Sequence, residues 1–274
     1  MKLAVTTTTP DVQIPVPVSL LAGEFTGRLR KAKQMGFDGV ELMVVHPEEL
    51  SISQIRGQLA AEELEVAAVA TGAIRTVDDI CLLSVNSEVR RLARVRLHAL
   101  IDFAAALGAP IVTVGGFRGR LAQSGKGATH KVLVNTLGEA AEMAATRGVR
   151  LVVEPLNRYE TNIVTNAAEG LAIVEEVGHS GLGLLLDTFH MNIEEESFRD
   201  SFRMVMDSGR LWHIHLGDSN RRPPGQGHID FRAIVHTLID IGYTGYLSAE
   251  LLAYPDPDSA AKTTIKFMRQ LLAS

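Results

Sequence analysis

The sequence predicts a single (β/α)8 barrel, a TIM barrel spanning residues 1–274, and three observations predict it. Eight short apolar runs alternate with longer stretches of helical spacing. Each run is continuously apolar, as strands of a parallel sheet covered on both faces are. Glycines stand where the helical stretches stop. Eight βα units in 274 residues match the size of one such barrel. A doubly wound sheet would instead place a G-x-G-x-x-G phosphate turn after its first strand, and Thr6-Thr7-Thr8-Thr9-Pro10 offers none.

Taken in order, the expected strands are residues 3–7, 39–44, 65–70, 110–115, 150–154, 182–187, 211–216 and 245–250. Between the third and fourth, Ser87–Leu107 reads as an amphipathic helix. Its Val89, Leu92, Ala93, Leu97 and Leu100 recur at three- and four-residue steps. Gly36, Gly108, Gly148, Gly178 and Gly242 mark helix ends, where a glycine takes up the left-handed cap conformation. Three loops are long, at residues 72–86, 117–129 and 218–229. All follow the C-terminal ends of strands, where barrels build their active sites. No linker or low-complexity tract divides the chain.

Composition narrows the function classes. With 46% hydrophobic and 22% charged residues, the chain has ordinary soluble globular composition. A formal charge of −5 argues against a nucleic-acid partner, since such proteins are usually basic. The lone cysteine, Cys81, makes neither an internal disulfide nor a CxxC metal site. The apolar start, Met1-Lys2-Leu3-Ala4-Val5, is too short for a signal-peptide core, and no run approaches a membrane span. The expectation is a protein of the reducing cytoplasm with no membrane partner.

Four consecutive strands end in a residue able to bind a metal: Glu154, Asp187, His215 and Glu250, spaced 33, 28 and 35 residues apart. One such carboxylate is ordinary. Four in register at neighbouring strands converge on one mouth of the barrel, where charged groups are rarely buried without a partner or an ion. Two Glu, one Asp and one His suit Mn²⁺, with Mg²⁺ or Co²⁺ as alternatives, better than a thiolate-loving metal. His213 points the same way as His215, because strand residues alternate faces. It should lie one layer deeper, as a hydrogen-bonded core histidine. Glu41 ends the second strand and is expected to serve structurally at the base of the pocket. Arg118 and Arg120, at the mouth of strand four, suggest capture of an anionic group by bidentate hydrogen bonds, with Arg75 a weaker candidate. The surrounding Gly115-Gly116-Phe117-Arg118-Gly119 lacks the Lys-Ser/Thr ending of a P-loop.

Glu154-Pro155-Leu156-Asn157-Arg158-Tyr159-Glu160-Thr161, Asp187-Thr188-Phe189-His190-Met191-Asn192 and His215-Leu216-Gly217-Asp218-Ser219-Asn220-Arg221 resemble the sugar 3-epimerase/isomerase family. That family has the xylose-isomerase-like barrel and includes the D-tagatose, D-allulose and L-ribulose 3-epimerases. The resemblance is strongest to its 5-keto-L-gluconate epimerase branch and runs on through Arg222-Pro223-Pro224-Gly225-Gln226-Gly227-His228-Ile229-Asp230-Phe231-Arg232. It is specific over residues 151–250 and weaker, though collinear, before. It implies Glu154, Asp187, His215 and Glu250 as metal ligands, with Glu154 and Glu250 also the acid/base pair. It implies Glu160, His190 and Arg221 at the C1–C2 end of the substrate, and a homo-oligomeric assembly. One departure is visible: Leu251-Leu252 follows the last Glu, where the 3-epimerases commonly have Pro-Phe.

The chemistry expected is proton abstraction and return at the carbon next to a ketone. Loss of that proton leaves an enediolate, whose charge a divalent cation would stabilise. Epimerisation then needs a base on one face and an acid on the other. The substrate expected is a keto sugar or a keto sugar acid, whose carboxylate Arg118 and Arg120 would receive. An aldose–ketose or hydroxypyruvate-type isomerase on the same site is the alternative. A metal-dependent DNA-repair endonuclease is disfavoured by the acidic balance and by the missing strand-end histidines. A non-catalytic sugar-binding barrel would not need two opposed carboxylates.

Overall fold

Eight parallel strands close into a barrel in chain order in a computed structural model, which describes residues 1–122 and 125–273. The strands are β1 Lys2–Thr8, β2 Gly39–Met43, β3 Glu65–Ala70, β4 Ile111–Val114, β5 Arg150–Val153, β6 Leu182–Asp187, β7 Leu211–Leu216 and β8 Tyr246–Ala249. The helices are α1 Phe25–Met35, α2 Ile52–Ala61, α3 Ile74–Val77, α4 Ser87–Leu107, α5 Lys126–Thr146, α6 Ala167–Val177, α7 Thr188–Glu194, α8 Phe198–Asp207, α9 Phe231–Asp240 and α10 Pro257–Leu272. Pairing of β8 with β1, Lys2 opposite Tyr246, completes the ring. The (β/α)8 fold read from the alternation is the fold observed.

Local chemistry explains the element ends. The expected helix 87–107 begins where Asn86 accepts a hydrogen bond from the Glu88 N–H at 2.9 Å, and it ends at Gly108 with φ 78°. All five glycines expected past helix ends have positive φ. Two loops differ from expectation. The stretch 72–86 contains the short helix α3, and α5 starts at Lys126, inside the expected loop 117–129. Gln123 and Ser124 of that loop lie outside the described residues.

The barrel interior is layered. At the N-terminal mouth Lys2 pairs with Glu65 at 2.6 Å, and the Tyr246 hydroxyl donates to Glu65 at 2.7 Å. The Arg150 guanidinium lies 5.1 Å from the centre of the Trp212 ring. Above this floor Ala68, Ile111, Val152 and Leu185 form their own apolar cluster, with Trp212 packed against it. Two residues further along the same strands, hence on the same face, come Thr113, Glu154 and Asp187. The larger core fills the space between barrel and helices.

The floor is a fit of large to small. Trp212 sits where β7 is bulged against β6, and its ring occupies the room Gly183 leaves. A Cβ on Gly183 would stand 2.5 Å from Trp212 Cε3. Gly183→Ala is therefore expected to lower unfolding stability by about 1–3 kcal/mol, as overpacking does, read by chemical denaturation. Trp212→Leu in the same background should recover part of the loss. An unchanged midpoint in Gly183→Ala would mean the ring moves aside freely.

Candidate metal centre

Glu154, Asp187, His215 and Glu250, all buried, each bring one possible ligand atom within 4.8 Å of the others. The four strand ends deliver them in different ways. Glu154 and Glu250 lie one residue past β5 and β8, and the Glu154 N–H still bonds the Val114 carbonyl at 3.1 Å. Asp187 is both the last residue of β6 and the N-cap of α7. Its Oδ1 accepts from the Phe189 N–H at 2.7 Å, which leaves Oδ2 free to face the cluster. His215 Nδ1 lies 3.4 Å from Glu154 Oε1 and 3.4 Å from Glu250 Oε2.

The atoms turned inward have no hydrogen-bond partner: Glu154 Oε1, Asp187 Oδ2, His215 Nδ1 and, from the rim, His190 Nε2. Buried polar atoms left so are costly. Their convergence fits a cation, and oxygens plus one imidazole nitrogen suit a hard or borderline divalent ion. Gly115 makes room for it all, since a Cβ there would collide with Glu154 Oε2. Beneath the cluster the buried Glu41 carboxylate meets His213 Nε2 at 2.8 Å and His215 Nε2 at 3.0 Å.

The rim comes from helix α7 and two loops. His190, three residues into α7, accepts at Nδ1 from the Asn157 backbone N–H at 3.3 Å, with the Asn157 side chain at 2.7 Å. A backbone N–H can only donate, so the ring proton sits on Nε2. That N–H points between Asp187 Oδ2 at 3.8 Å and Glu154 Oε1 at 4.0 Å. Arg221 pairs with Glu160 at 3.0 Å and Glu250 at 3.4 Å, and its guanidinium lies 4.9 Å from the Phe189 ring centre. Its loop is folded around the buried Asp218. That carboxylate accepts from the backbone N–H groups of Ser219 at 2.7 Å, Gly225 at 2.8 Å and Ile229 at 3.1 Å.

Part of the cluster and rim opens onto a cavity of about 330 Å³. Glu154, Glu160, Arg221 and Glu250 line it on the polar side, and Val16, Pro17, Val18, Leu156 and Leu252 on the apolar side.

Residues 29–271 match the family model described as the xylose isomerase-like TIM barrel. The chain belongs to the xylose isomerase-like TIM barrel family. Within it, the chain is 31% identical to the D-psicose 3-epimerase of Agrobacterium fabrum, over 84% of this chain and 80% of that protein. It is 32% identical to the ketose 3-epimerase of Arthrobacter globiformis, over 79% and 74%. The structure of an L-ribulose 3-epimerase superimposes with a TM-score of 0.84 at 26% identity, covering 99% of this chain and 94% of that one. The chain is thus an isomerase-class enzyme, grouped with the sugar epimerases.

Charge in the cluster is unevenly distributed. Burial first, and then the charge of Glu154, push the Asp187 carboxyl up to about 7. Burial also raises Glu154, against the pull of His215. For Glu250 burial works upward too, but His215 and Arg221 outweigh it and hold the carboxyl low. Burial opposes a charged His215, yet the carboxylates of Glu41 and Glu250 overcome it and hold the imidazole well above its usual range. His190 is pushed well below its usual range, by burial and then by the charges of Arg221 and His215. It stands there as a neutral donor.

The three further arginines do not gather at the cavity. Arg118 is fully buried. Its Nη1 donates to the carbonyls of Gly115 at 3.0 Å and Glu154 at 2.7 Å, and its Nη2 to those of Ile163 at 3.1 Å and Val164 at 2.9 Å. The expectation that it receives a substrate carboxylate is corrected: the guanidinium is buried and both Nη groups donate to carbonyls inside the protein. Burial lowers it to about 10, still charged at neutral pH. Arg120 donates to the Tyr159 carbonyl at 3.3 Å and does not line the cavity, so no fork forms with Arg118. Arg75 faces Asp79 at 3.6 Å on the surface.

Asn157 and Asp218 were given no role on sequence. Only the position of Asp218, between Gly217 and Ser219 at the head of a long loop, hinted at a loop-folding carboxylate. For Arg118→Met, the Glu154 carbonyl loses its charged donor while those of Gly115, Ile163 and Val164 keep the Arg118 N–H, the Thr161 hydroxyl and the Leu156 N–H, and unfolding stability is expected to fall by about 1–3 kcal/mol. Urea denaturation measures this. A substrate contact would instead raise KM and leave stability unchanged.

Proposed function

We propose that the enzyme is a divalent-metal-dependent 3-epimerase of keto sugars. One observation carries the reading most: Glu154 and Glu250 both line the cavity, and each lies 3.4 Å from the same imidazole nitrogen. They come from strand ends three places apart around the ring, so a substrate seated over His215 has a carboxylate on each side. An aldose–ketose isomerisation moves a proton between neighbouring carbons and needs a single base. Inversion at one carbon needs an acid and a base on opposite faces. The relatives named for D-psicose, ketoses and L-ribulose support the same choice.

In this reading Glu154, Asp187, His215 and Glu250 hold the ion, and their oxygen-rich set favours Mn²⁺. When bound, the ion supplies Lewis-acid stabilisation of the negative charge that builds as the proton leaves. One glutamate takes the proton from C3 and the other returns a proton to the opposite face, with roles exchanged for the reverse substrate. His190 offers its Nε2–H to the ketone oxygen, a neutral donor aimed at the developing charge. Arg221 and Glu160 hold the C1–C2 end, and Arg221 keeps Glu250 turned inward. The apolar wall of Val16, Val18, Leu156 and Leu252 excludes water from the carbanionic carbon.

The substrate is read as a neutral keto sugar. Arg221 is the one cationic residue lining the cavity among the described residues, and it is already paired with Glu160 and Glu250. A keto sugar acid finds no free arginine there.

Glu154→Gln and Glu250→Gln are each expected to lower kcat by about 10²–10⁴, with metal content measured alongside. Turnover in D₂O should place deuterium at C3 of the product. Near-normal turnover by either metal-loaded variant removes that glutamate from the proton relay. In paired assays, a neutral ketose is expected to match or exceed the kcat/KM of the corresponding keto acid. A tenfold preference for the acid, about 1.4 kcal/mol, would restore the carboxylate reading.

A further inference from the structure

We propose that Glu41 is a positioning residue that fixes which nitrogen of His215 faces the acidic cluster. The inference rests on the reading that Glu154, Asp187, His215 and Glu250 hold a divalent ion.

Glu41 stands on β2, whose neighbours in the ring are β1 and β3, and it is fully buried. Its side chain therefore crosses the barrel interior to reach β7 on the far side. There Oε2 lies 2.8 Å from His213 Nε2, while Oε1 and Oε2 lie 3.0 Å and 3.1 Å from His215 Nε2. An ionised carboxylate only accepts, so both imidazoles must present an N–H to it. For His215 this keeps a proton on Nε2, so the proton an incoming ion would displace is the one on Nδ1, whose lone pair then faces the cluster. Nδ1 is the nitrogen that faces Glu154 and Glu250 and has no hydrogen-bond partner.

His213 has a part in the same arrangement. Its ring packs edge-on against that of His215, 5.3 Å between centres, and its Nε2–H occupies Oε2. The carboxylate is thus pinned and cannot swing away from His215. Carboxylates behind a ligating histidine set its tautomer and orientation, and losing one typically costs 10–100-fold in metal affinity. Nothing in the proton relay requires Glu41, which stands behind His215 and apart from the residues lining the cavity.

Glu41→Gln tests this, because the amide keeps the shape but has one accepting oxygen for two N–H donors and turns its own NH₂ toward them. Titration with Mn²⁺, followed by electron paramagnetic resonance, should give a Kd about 10–100-fold weaker than that of the natural sequence. Asp187→Asn is titrated alongside, and thermal unfolding is recorded for each metal-free protein. A Kd within twofold of the natural value in Glu41→Gln, with binding lost in Asp187→Asn, overturns the inference and leaves the ion site standing. Mn²⁺ binding undiminished in Asp187→Asn overturns the ion site itself. A role in packing alone lowers the metal-free melting temperature and leaves Kd unchanged. Should Glu41→Gln fail to fold, ¹⁵N-histidine NMR of the natural sequence loaded with Zn²⁺ decides. A proton on Nε2 of His215 is expected, and a proton on Nδ1 overturns the inference.

Discussion

The structure is organised around an electrostatic crowding that a folded chain ordinarily avoids. Glu41, Glu154, Asp187 and Glu250 are all buried, and all surround one imidazole. Within the low dielectric of a barrel mouth such like charges repel strongly, and each group that points at them offsets part of that cost. His215 and Arg221 supply the positive charge, and the N-terminus of α7 binds Asp187 through the Phe189 N–H. What remains unmatched is concentrated in a few inward-facing atoms. That residue of unpaired negative charge makes the cluster one that could hold a cation.

Much of the surrounding architecture serves to keep these groups from relaxing apart. Asp218 gathers the loop after β7 so that Arg221, at φ 57°, is delivered over Phe189. Arg118 ties the Gly115 turn after β4, the Glu154 carbonyl after β5 and the segment at Ile163 and Val164 into one unit. A backbone carbonyl held at 2.7 Å by a charged donor fixes the direction in which the Glu154 side chain leaves the chain. Cavity-lining groups thus stand on loops, with Asp218 and Arg118 as buried polar braces behind them. Accurate placement of a reacting group depends on that bracing more than on the loop's own sequence.

The barrel and the four converging strand ends were legible because both follow from periodicity. Continuous apolar runs mark doubly covered strands, and the spacing of about one βα unit between Glu154, Asp187, His215 and Glu250 sets them at neighbouring strand ends. The depth of His213 followed from the alternation of strand faces. Arg118 was misread for a physical reason. An arginine in a glycine-rich turn at the mouth looks the same whether its guanidinium faces solvent or carbonyls 36 to 46 residues away. Glu41 reads in sequence as a strand end with a structural role; it stands mid-way along β2 and off the cavity lining, and its two partners on β7 lie 172 and 174 residues distant. Asn157 and Asp218 act through backbone N–H groups, and no side-chain pattern announces those.

The closed floor of the barrel has its own consequence for traffic. Trp212, Tyr246 and the Lys2–Glu65 pair stand at the N-terminal mouth beneath an apolar plug, so the chamber opens at the C-terminal end. Incoming sugar and outgoing sugar must use the same doorway, one after the other. Whichever sugar occupies the chamber therefore shuts out the next until it has left by the way it came.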